Sequence, residues 1–553
     1  MSSQKPNRYV PLLLSLCIVI GILIGIFYTN QYSGNRLSII NTTSNKINDL
    51  LRIIDDHYVD TVNMTNLIED AMPQILSDLD PHSVYIKAKD AEESMTDIKG
   101  SFSGIGVSFT IQEDTIHIIN VIKGGPSEKV GLLAGDRIVT IDGEEFVGKE
   151  ITSEESMKRL KGEKGTEVKL GIKRMGEKEL LDFTIIRGDI PIHSVEASYM
   201  ITPELGYIKV TKFSETTYPE MLVALARLGQ EGFKGLIIDL RGNGGGIMQT
   251  AIQMANIFLP KGKLIVYTEG RNSPREEYIS DGRGAFAHLP LVVLIDESSA
   301  SASEIFAGAI QDNDRGTVIG RRSFGKGLVQ QPIEFRDGSI LRLTIARYYT
   351  PSGRCIQKPY ENGHNEEYEN DLMERYERGE FFSEDSIHQE GPQFKTLLGR
   401  SVYGGGGIMP DIFIPEDTSD ITSYYKEAVI SGLIHQYALK FTDSHRKILE
   451  EKESVNDMII YLKQQNILAD FAKFAQERGL RRRALMLYQS RKLFERNIFG
   501  NIINNAKDSE WFYEYLNIDD RTVGRAIKIL EEGKSYPTAP QNNQSKTHQD
   551  EQE

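Results

Sequence analysis

The chain has 553 residues, of which 39% are hydrophobic and 26% are charged, and its formal net charge is -15. This length exceeds what one hydrophobic core supports, so the sequence predicts several folded domains in series. A negative field of this size repels phosphate backbones and argues against nucleic acid as a partner. The two cysteines, Cys17 and Cys355, are far apart and the histidines are scattered. The sequence therefore supports neither a disulfide framework nor a metal site, and we expect no cofactor.

The N-terminus predicts a membrane anchor. Lys5 and Arg8 precede a largely apolar run over 9–28, close to the ~20 residues that a helix needs to cross a bilayer. The flanking positive charges place the N-terminus in the cytoplasm. We expect residues 1–30 to form a cytoplasmic N-terminus and a single-pass anchor in the inner (cytoplasmic) membrane, with the bulk in the periplasm or another extracytoplasmic space. A cleaved signal peptide is the alternative, although no A-x-A site follows the run.

Helices and then strands are predicted after the anchor. Residues 31–99 form a helical region, because apolar residues recur at three- and four-residue steps. Near its end, LDPHSVYI contains a turn built on Asp80-Pro81. Between 100 and 188 the pattern changes to short alternating strands separated by glycine, with one helix over 152–160. This segment is predicted to be a compact β-rich module.

The module contains a candidate peptide-binding loop. The loop precedes a strand and consists of Gly104, Ile105, Gly106 and Val107. Its glycines would let successive backbone N–H groups face one carboxylate, with a peptide then added as a strand. Alone, the two glycines are equally compatible with a simple bulge. Together with PSEKVGLLAGDRIVTIDGE over 126–144, the module resembles a PDZ domain of the bacterial protease type, which implies an apolar C-terminal tail as ligand and the helix over 152–160 as the other groove wall.

The remaining chain divides into an α/β region and a helical region. Strands and helices alternate from about 191 to 356, which predicts helices packed on a mostly parallel sheet within a core over 189–420. Residues from about 358 to 390 are acidic and aromatic without clear periodicity, and we interpret them as a long surface insertion. Residues 421–535 are predicted to be helical, and 536–553 to be a disordered tail.

Three segments of the α/β region carry candidate chemistry. In the first, PLVVLIDESSASASEIFAGAIQD over 290–312, Ser301 lies where a helix begins. A hydroxyl at this place lies near unsatisfied N–H groups and the positive end of the helix dipole, so the Ala302 N–H is a candidate donor to an oxyanion. The alternative is that Ser301 only caps the helix, as serine runs before helices commonly do.

The second segment is RRSFGKGLVQQPIEF over 321–335, in which Lys326 lies between Gly325 and Gly327. Acting as a general base requires its pKa to fall from ~10.4 by about three units, through burial or a local field. The glycines allow the backbone to turn the amine inward, and Gln330 can hydrogen-bond it without adding negative charge. A solvated surface lysine is the alternative.

The third segment is GLIIDLRGNGGGIM over 235–248, a buried strand followed by a glycine-rich turn. The turn lacks both the P-loop lysine and the dinucleotide-binding spacing, so nucleotide binding is disfavoured. The N–H of Gly245 or Gly246 is a candidate second oxyanion donor, and a simple packing turn is the alternative.

In combination, DLRGNGGG, SASASE and FGKGLVQ, with LDPHSVYI before them and GIMPD after them, resemble the C-terminal processing (tail-specific) peptidases over about 41–415. The resemblance implies a multidomain α+β protein with a PDZ domain, an α/β (crotonase/ClpP-like) peptidase core and a Ser/Lys dyad. Ser301 would be the nucleophile, Lys326 the general base and Gln330 its orienting partner, while Ala302 and a glycine of 244–246 would bind the oxyanion. The insertion and the C-terminal helices depart from the family pattern, so a homo-oligomer or an adaptor partner stays open.

Two alternatives and one hypothesis about regulation accompany this prediction. A histidine triad is disfavoured because no G-x-S-x-G elbow surrounds Ser301, and we interpret His82 of LDPHS as structural. An inactive, membrane-tethered PDZ scaffold or chaperone would require the dyad to be lost or permanently misaligned, and the presence of both residues in the sequence disfavours it. Finally, the PDZ module is inserted directly before the core, which suggests that it covers the active site until a substrate tail binds.

Overall fold

The computed structural model describes residues 42–112, 114–148, 151–174, 176–387 and 391–539. The predicted anchor over 9–28 and the part of the predicted tail beyond 539 lie outside these residues. Across the described ranges, no helix combines the length and the apolar character needed to cross a bilayer. The chain divides into two compact units, Met1–Leu76 and Ser77–Glu553.

The predicted N-terminal helical region, as far as it is described over 42–99, contains three helices and a short strand. Their bounds are α1 Thr42–His57, α2 Met64–Ser77, β1 Val84–Ile86 and α3 Ala88–Lys99. Strand β1 comes from LDPHSVYI and its residues are exposed or half-buried. It belongs to a sheet of the peptidase core rather than to the helical region.

The β-rich module is a small antiparallel sheet with two helices. The main sheet has the strand order β3-β4-β5-β7-β8, with β6 paired to β5. Its bounds are β3 Val107–Gln112, β4 Thr115–Val121, α4 Pro126–Lys129, β5 Arg137–Ile141, β6 Glu144–Glu145, α5 Ser153–Leu160, β7 Glu167–Lys173 and β8 Leu181–Ile186. Alternate strand residues such as Ile116, Ile138 and Val168 are fully buried in its core. Strands β2 (Ser101–Gly104) and β9 (Gly188–Pro191) pair as a ribbon at the two ends of the module.

A six-stranded sheet forms the centre of the core. Its order is β10-β11-β12-β15-β16-β21, and all neighbours are parallel except β10 and β11. Its elements and connecting helices are β10 Val195–Thr202, β11 Leu205–Val210, α6 Thr217–Glu231, β12 Gly235–Asp239, α7 Met248–Phe258, β15 Leu291–Ile295, α8 Ala302–Asp312, β16 Thr317–Gly320 and β21 Ile412–Phe413. The strands β12 and β15 are buried along their whole length, because a parallel sheet is covered on both faces.

The two faces of this sheet are covered by different parts of the chain. Ile238 and Val293 pack with helices α6, α7 and α8, whereas the alternate residues Ile237 and Val292 pack with the helix over 521–531, which is the last one in the described part of the chain. The helical C-terminal region, which is predicted correctly, therefore also completes the peptidase core. Its helices are α10 Ser423–Ile430, α11 Leu433–Glu450, α12 Val455–Lys463, α13 Ile467–Glu477, α14 Ala484–Gln489, α15 Arg491–Ala506, α16 Ser509–Asn517 and α17 Arg521–Glu531.

A second sheet lies outside the parallel one. Strand β13 (Leu264–Glu269), predicted within the βα alternation, pairs antiparallel with β14 (Glu276–Ile279) and with β18 (Ile340–Tyr349). Strand β18 also pairs with β1 and with β17 (Leu328–Glu334). The expectation of one mostly parallel sheet is wrong here, since a short apolar run predicts a strand without revealing its partners.

The prediction of a surface insertion over 358–390 is also wrong for several of its residues. The segment forms α9 (Asn365–Glu377) and a short 3-10 turn, Glu384–Ser386, and is followed by an antiparallel pair of short strands, β19 (Gln393–Lys395) and β20 (Ser401–Tyr403). Tyr368, Arg375 and Glu380 are only 5%, 1% and 2% exposed. Their burial is invisible to hydrophobic periodicity because the buried groups are charged or polar.

A buried ion pair fixes the end of α8. The guanidinium of Arg354 lies 2.7 Å from the Asp312 carboxylate, and both side chains are fully buried. Removing one partner leaves an uncompensated buried charge. We expect Asp312→Asn to destabilise the protein by about 3–5 kcal/mol, measured as a lower thermal midpoint, while Asp182→Asn at an exposed site leaves the midpoint unchanged. Equal midpoints for the two variants would contradict this assignment.

Candidate active site

Ser301 lies in a strained turn between β15 and α8. Its backbone has φ 55° and ψ -113°, a region that residues other than glycine rarely occupy and that clusters at functional sites. The turn is tied down on both sides, because Ser299 Oγ donates to the Leu240 carbonyl (2.8 Å) and Ala300 N donates to the Asn243 carbonyl (3.0 Å). Ser301 itself is half-buried, as a nucleophile that meets a substrate must be.

The buried carboxyl group of Glu304 joins the backbone near Ser301 to that near Lys326. Its Oε2 accepts from Ser301 N (2.8 Å) and from Lys326 N (2.9 Å). Its Oε1 accepts from Ser323 Oγ (2.5 Å) and from Gly325 N (2.7 Å). One side chain thus fixes the turn of the predicted nucleophile against the loop of the predicted base.

Glu304 was not among the functional residues predicted from the sequence. Burial raises its pKa to about 7, although its four hydrogen-bond donors favour the charged form. The available signal was the spacing Ser301-x-x-Glu304, which is that of a capping box. In this site the carboxylate caps the Ser301 N–H and reaches beyond the helix to a second loop.

Lys326 is a partly buried amine held by a neutral partner. Its Nζ donates to Gln330 Oε1 (3.2 Å) rather than to Ser301 Oγ, and Gln330 Nε2 donates to the His82 carbonyl. Burial lowers the pKa of Lys326, and the positive charge of Arg342 lowers it further. Both effects favour the neutral amine that a general base requires.

Close packing explains the glycines around Lys326. A methyl group at Gly325, whose φ is +90°, would lie 3.1 Å from Gly407 N, and one at Gly327 would lie 2.8 Å from Gln357 N. The Tyr348 hydroxyl lies within hydrogen-bonding distance of the carbonyl of Ser301 (3.1 Å) and of that of Lys326, and it can donate its single proton to either. Nucleophile and base segments are therefore bridged a second time.

The predicted oxyanion donors lie beside the nucleophile. A methyl group at Gly245 would lie 2.8 Å from Ser301 Cβ and 2.9 Å from Ala302 N, so the glycine turn faces the start of α8. The Gly245 N–H already donates to Asn243 Oδ1 (2.9 Å). Among the described residues, no acceptor is hydrogen-bonded to the N–H of Ala302 or of Gly246. The N–H groups of Ala302 and Gly246 are therefore available to donate to an oxyanion, whereas that of Gly245 is already engaged.

His82 contacts the site through its backbone. Its Nε2 lies 2.8 Å from Tyr368 Oη, and burial together with the charge of Lys326 lowers the pKa of the imidazole to about 4. The ring is neutral at pH 7 and faces the insertion, whereas its carbonyl holds Gln330. This arrangement agrees with the interpretation of His82 as structural.

The candidate peptide-binding loop begins where β2 ends. Gly106 has φ +80°, and a methyl group there would lie 2.9 Å from Ile190 Cδ1. The Ile105 carbonyl accepts hydrogen bonds from Ser127 N (3.0 Å) and Ser127 Oγ (2.7 Å). Gly162 N donates to the Ser103 carbonyl (3.5 Å), so the loop adjoins the C-terminal end of α5. The same loop leads into β3, so Val107 begins the strand that a bound peptide would extend.

Family models define the class of the two central domains. Residues 204–364 match the model for peptidase family S41, and residues 103–185 match the model for a PDZ domain. A third match, over 424–508, is to a family of unknown function, DUF8443. The protein is thus a PDZ-containing peptidase with a helical C-terminal region.

Curated relatives narrow this class. The carboxy-terminal-processing protease of Bartonella bacilliformis is 38% identical over 317 residues, covering 56% of this chain and 72% of the relative. The carboxy-terminal processing protease CtpB of Bacillus subtilis is 36% identical over 316 residues, covering 57% and 65%. The chain belongs to the carboxy-terminal processing proteases of peptidase family S41. Among solved structures, the photosystem II D1 C-terminal processing protease matches with a TM-score of 0.34 and 24% identity, over 66% of this chain and 92% of that one.

Proposed function

We propose that this protein is an extracytoplasmic serine endopeptidase that uses a Ser301/Lys326 dyad and recognises the C-terminal tails of proteins through its PDZ domain. The observation that carries the proposal is the shared anchoring of the two residues. Glu304 Oε2 binds the backbone N–H of both, at 2.8 and 2.9 Å, and Tyr348 Oη lies within hydrogen-bonding distance of both carbonyls. A strained serine and a partly buried lysine are thus fixed in neighbouring positions.

The proposed reaction follows from these groups. The neutral amine of Lys326 takes the proton of Ser301 Oγ as this oxygen attacks the scissile carbonyl, and returns it to the leaving amine. Water then attacks the acyl-enzyme, with Lys326 again as base. The N–H of Ala302 at the start of α8 and that of Gly246 donate to the oxyanion. Gln330, held by the His82 carbonyl, keeps the amine oriented between the two steps.

In this proposal the PDZ domain selects the substrate. The loop from Gly104 to Val107 receives the terminal carboxylate, and the tail adds as a strand beside β3. The β2/β9 ribbon runs from this loop to the core, which offers a route by which tail binding uncovers the active site.

The proposed location rests on the sequence. The apolar run over 9–28 would anchor the chain in the cytoplasmic membrane by a single pass, with the catalytic part outside.

The decisive experiment for the activity uses the detergent-solubilised full chain. The wild type is expected to cleave unfolded casein, followed on a gel, and Ser301→Ala is not. Equal cleavage by both proteins would refute the proposed nucleophile.

Tail recognition has its own test. Amidating the C-terminus of a peptide substrate with an apolar tail removes the carboxylate charge, so we expect KM to rise about tenfold or more with little change in kcat. Gly106→Ala is expected to raise KM for the free-acid peptide as well, because its φ of +80° and the contact with Ile190 exclude a side chain. Gly229→Ala, in open space on α6, is the matched control. Equal KM values for the amidated and free peptides would contradict tail recognition.

A further inference from the structure

A buried arginine of the insertion holds the loop that leads to Lys326. Arg375 is 1% exposed and lies near the end of α9. Its Nη1 donates to the Ser323 carbonyl (3.1 Å) and its Nη2 to the Arg322 carbonyl (2.8 Å). Its Nε donates to Glu380 Oε1 (2.9 Å). One guanidinium therefore fixes two successive carbonyls of the loop and a carboxylate of the insertion.

A residue of the loop, Arg322, also binds the Glu380 carboxylate. Arg322 binds Glu380 through Nε (2.6 Å to Oε1) and through Nη2 (2.7 Å to Oε2). A bidentate pair of this kind fixes orientation as well as distance. Glu380 is 2% exposed, so solvent does not screen these bonds.

The opposite side of the same short segment is held by the active site. Glu304 accepts hydrogen bonds from Ser323 Oγ, Gly325 N and Lys326 N, whereas Arg375 binds the carbonyls of residues 322 and 323. The segment is thus fixed from two directions immediately before the proposed base.

The insertion reaches the base by a second route. The Tyr368 hydroxyl lies 2.8 Å from His82 Nε2, and the His82 carbonyl accepts from Gln330, which holds Lys326 Nζ. Lys358, at the start of the insertion, donates through its N–H to the Gly325 carbonyl (2.9 Å). The contacts from Tyr368 through His82 to Gln330, and the hydrogen bond from Lys358 to Gly325, both act on groups that set the position of the Lys326 amine.

A contribution to stability does not by itself explain why Arg375, Arg322 and Glu380 are buried together. Burying a guanidinium and a carboxylate costs several kcal/mol in desolvation, and apolar side chains of similar volume often stabilise a protein as well or better. What charged groups add is directional bonding to particular backbone atoms. The arrangement therefore points to control of the loop position.

We propose that the insertion positions the catalytic base, with Arg375 and Glu380 as the residues that set the loop carrying Lys326. This rests on the proposed function, in which Lys326 is the base. A displacement of about 1 Å in a catalytic group can lower the rate about 100-fold, so a loosened loop should lower kcat while leaving substrate binding nearly unchanged.

Arg375→Lys tests the proposal in the full-length protein. Lysine keeps the charge but cannot donate to two carbonyls and Glu380 together. We expect kcat to fall about 10- to 100-fold, KM to stay within about twofold of the wild-type value, and amide hydrogen exchange over 322–327 to accelerate. Arg378→Lys is the matched control, since Arg378 is exposed and its ion pair with Glu374 is long, at 3.7 Å.

Exchange is measured in a Ser301→Ala background, so this readout does not depend on turnover. If Lys326→Ala retains full activity, the proposed dyad fails while the exchange result still reports on the loop. If Arg375→Lys does not fold, Glu380→Gln replaces it, with the same expected pattern. The positioning role is overturned if the folded variant keeps the wild-type kcat, or loses kcat without faster exchange over 322–327.

Discussion

The variants Ser301→Ala and Lys326→Ala, and the double variant carrying both changes, are expected to lower kcat by the same factor, of at least about 1,000-fold. The hydroxyl is a weak nucleophile without its base, and the amine has no proton to take without the hydroxyl. Residues that act as one unit show grossly non-additive losses. Steady-state kinetics on an internally quenched peptide with an apolar tail would measure all three values.

Two matched controls separate chemistry from folding. Ser298→Ala alters an exposed serine of the same run, and Lys234→Ala removes a lysine whose side chain is 69% exposed. Both are expected to retain wild-type kcat. Losses that simply multiply in the double variant would show that the two residues act independently, which the proposed dyad does not allow.

Much of the fold is predictable from local patterns. The buried runs at 235–239 and 291–295 predict strands of the parallel sheet, and the helix after Ser301 follows from its apolar steps. The PDZ module is predictable for a different reason, its resemblance over 104–107 and 126–144 to a known domain, and most of its glycines occupy turns whose positive φ favours that residue.

The unpredicted features depend on contacts between distant segments. Strand β13 pairs with β18 rather than joining the parallel sheet, and α17 covers one face of that sheet. Neither contact leaves a periodic signal in the sequence, because a strand or an amphipathic helix does not encode its partner.

In the candidate site, too, contacts between distant segments could not be predicted from the sequence. Ser301, Lys326 and Gln330 lie in recognisable motifs, and the structure brings them near one another through Glu304 and Tyr348. Glu304 was missed because its importance comes from four donors, three of them on a loop that lies 19 to 22 residues further along the chain. Buried polar residues of this kind are found only when their hydrogen bonds are traced in three dimensions.

Substitution of Glu304 is expected to cause the second large loss of activity. In Glu304→Gln, one of the two oxygens becomes an NH2 group that faces hydrogen-bond donors instead of accepting from them. The orientation that places this group next to Ser323 Oγ preserves the bonds to Ser301 N and Lys326 N, but leaves Gly325 N unpaired. We expect a loss of stability of about 1–3 kcal/mol and a fall in kcat of about 10- to 100-fold. Glu231→Gln, at an exposed position, is the control for thermal midpoint and kcat.

The pH dependence of kcat/KM distinguishes this role from simple packing. As pH falls through about 7, Glu304 gains a proton, and one acceptor oxygen becomes a donor toward the N–H groups that it holds. Lys326 must also lose its proton to act as base, so two groups have to be deprotonated in the active enzyme. We therefore expect kcat/KM of the wild type to fall on the acid side more steeply than one ionisation allows, and Glu304→Gln to show a single-ionisation slope. Identical slopes for the two proteins would mean that Glu304 does not titrate in the active enzyme, and its carboxylate would then act only as a fixed acceptor.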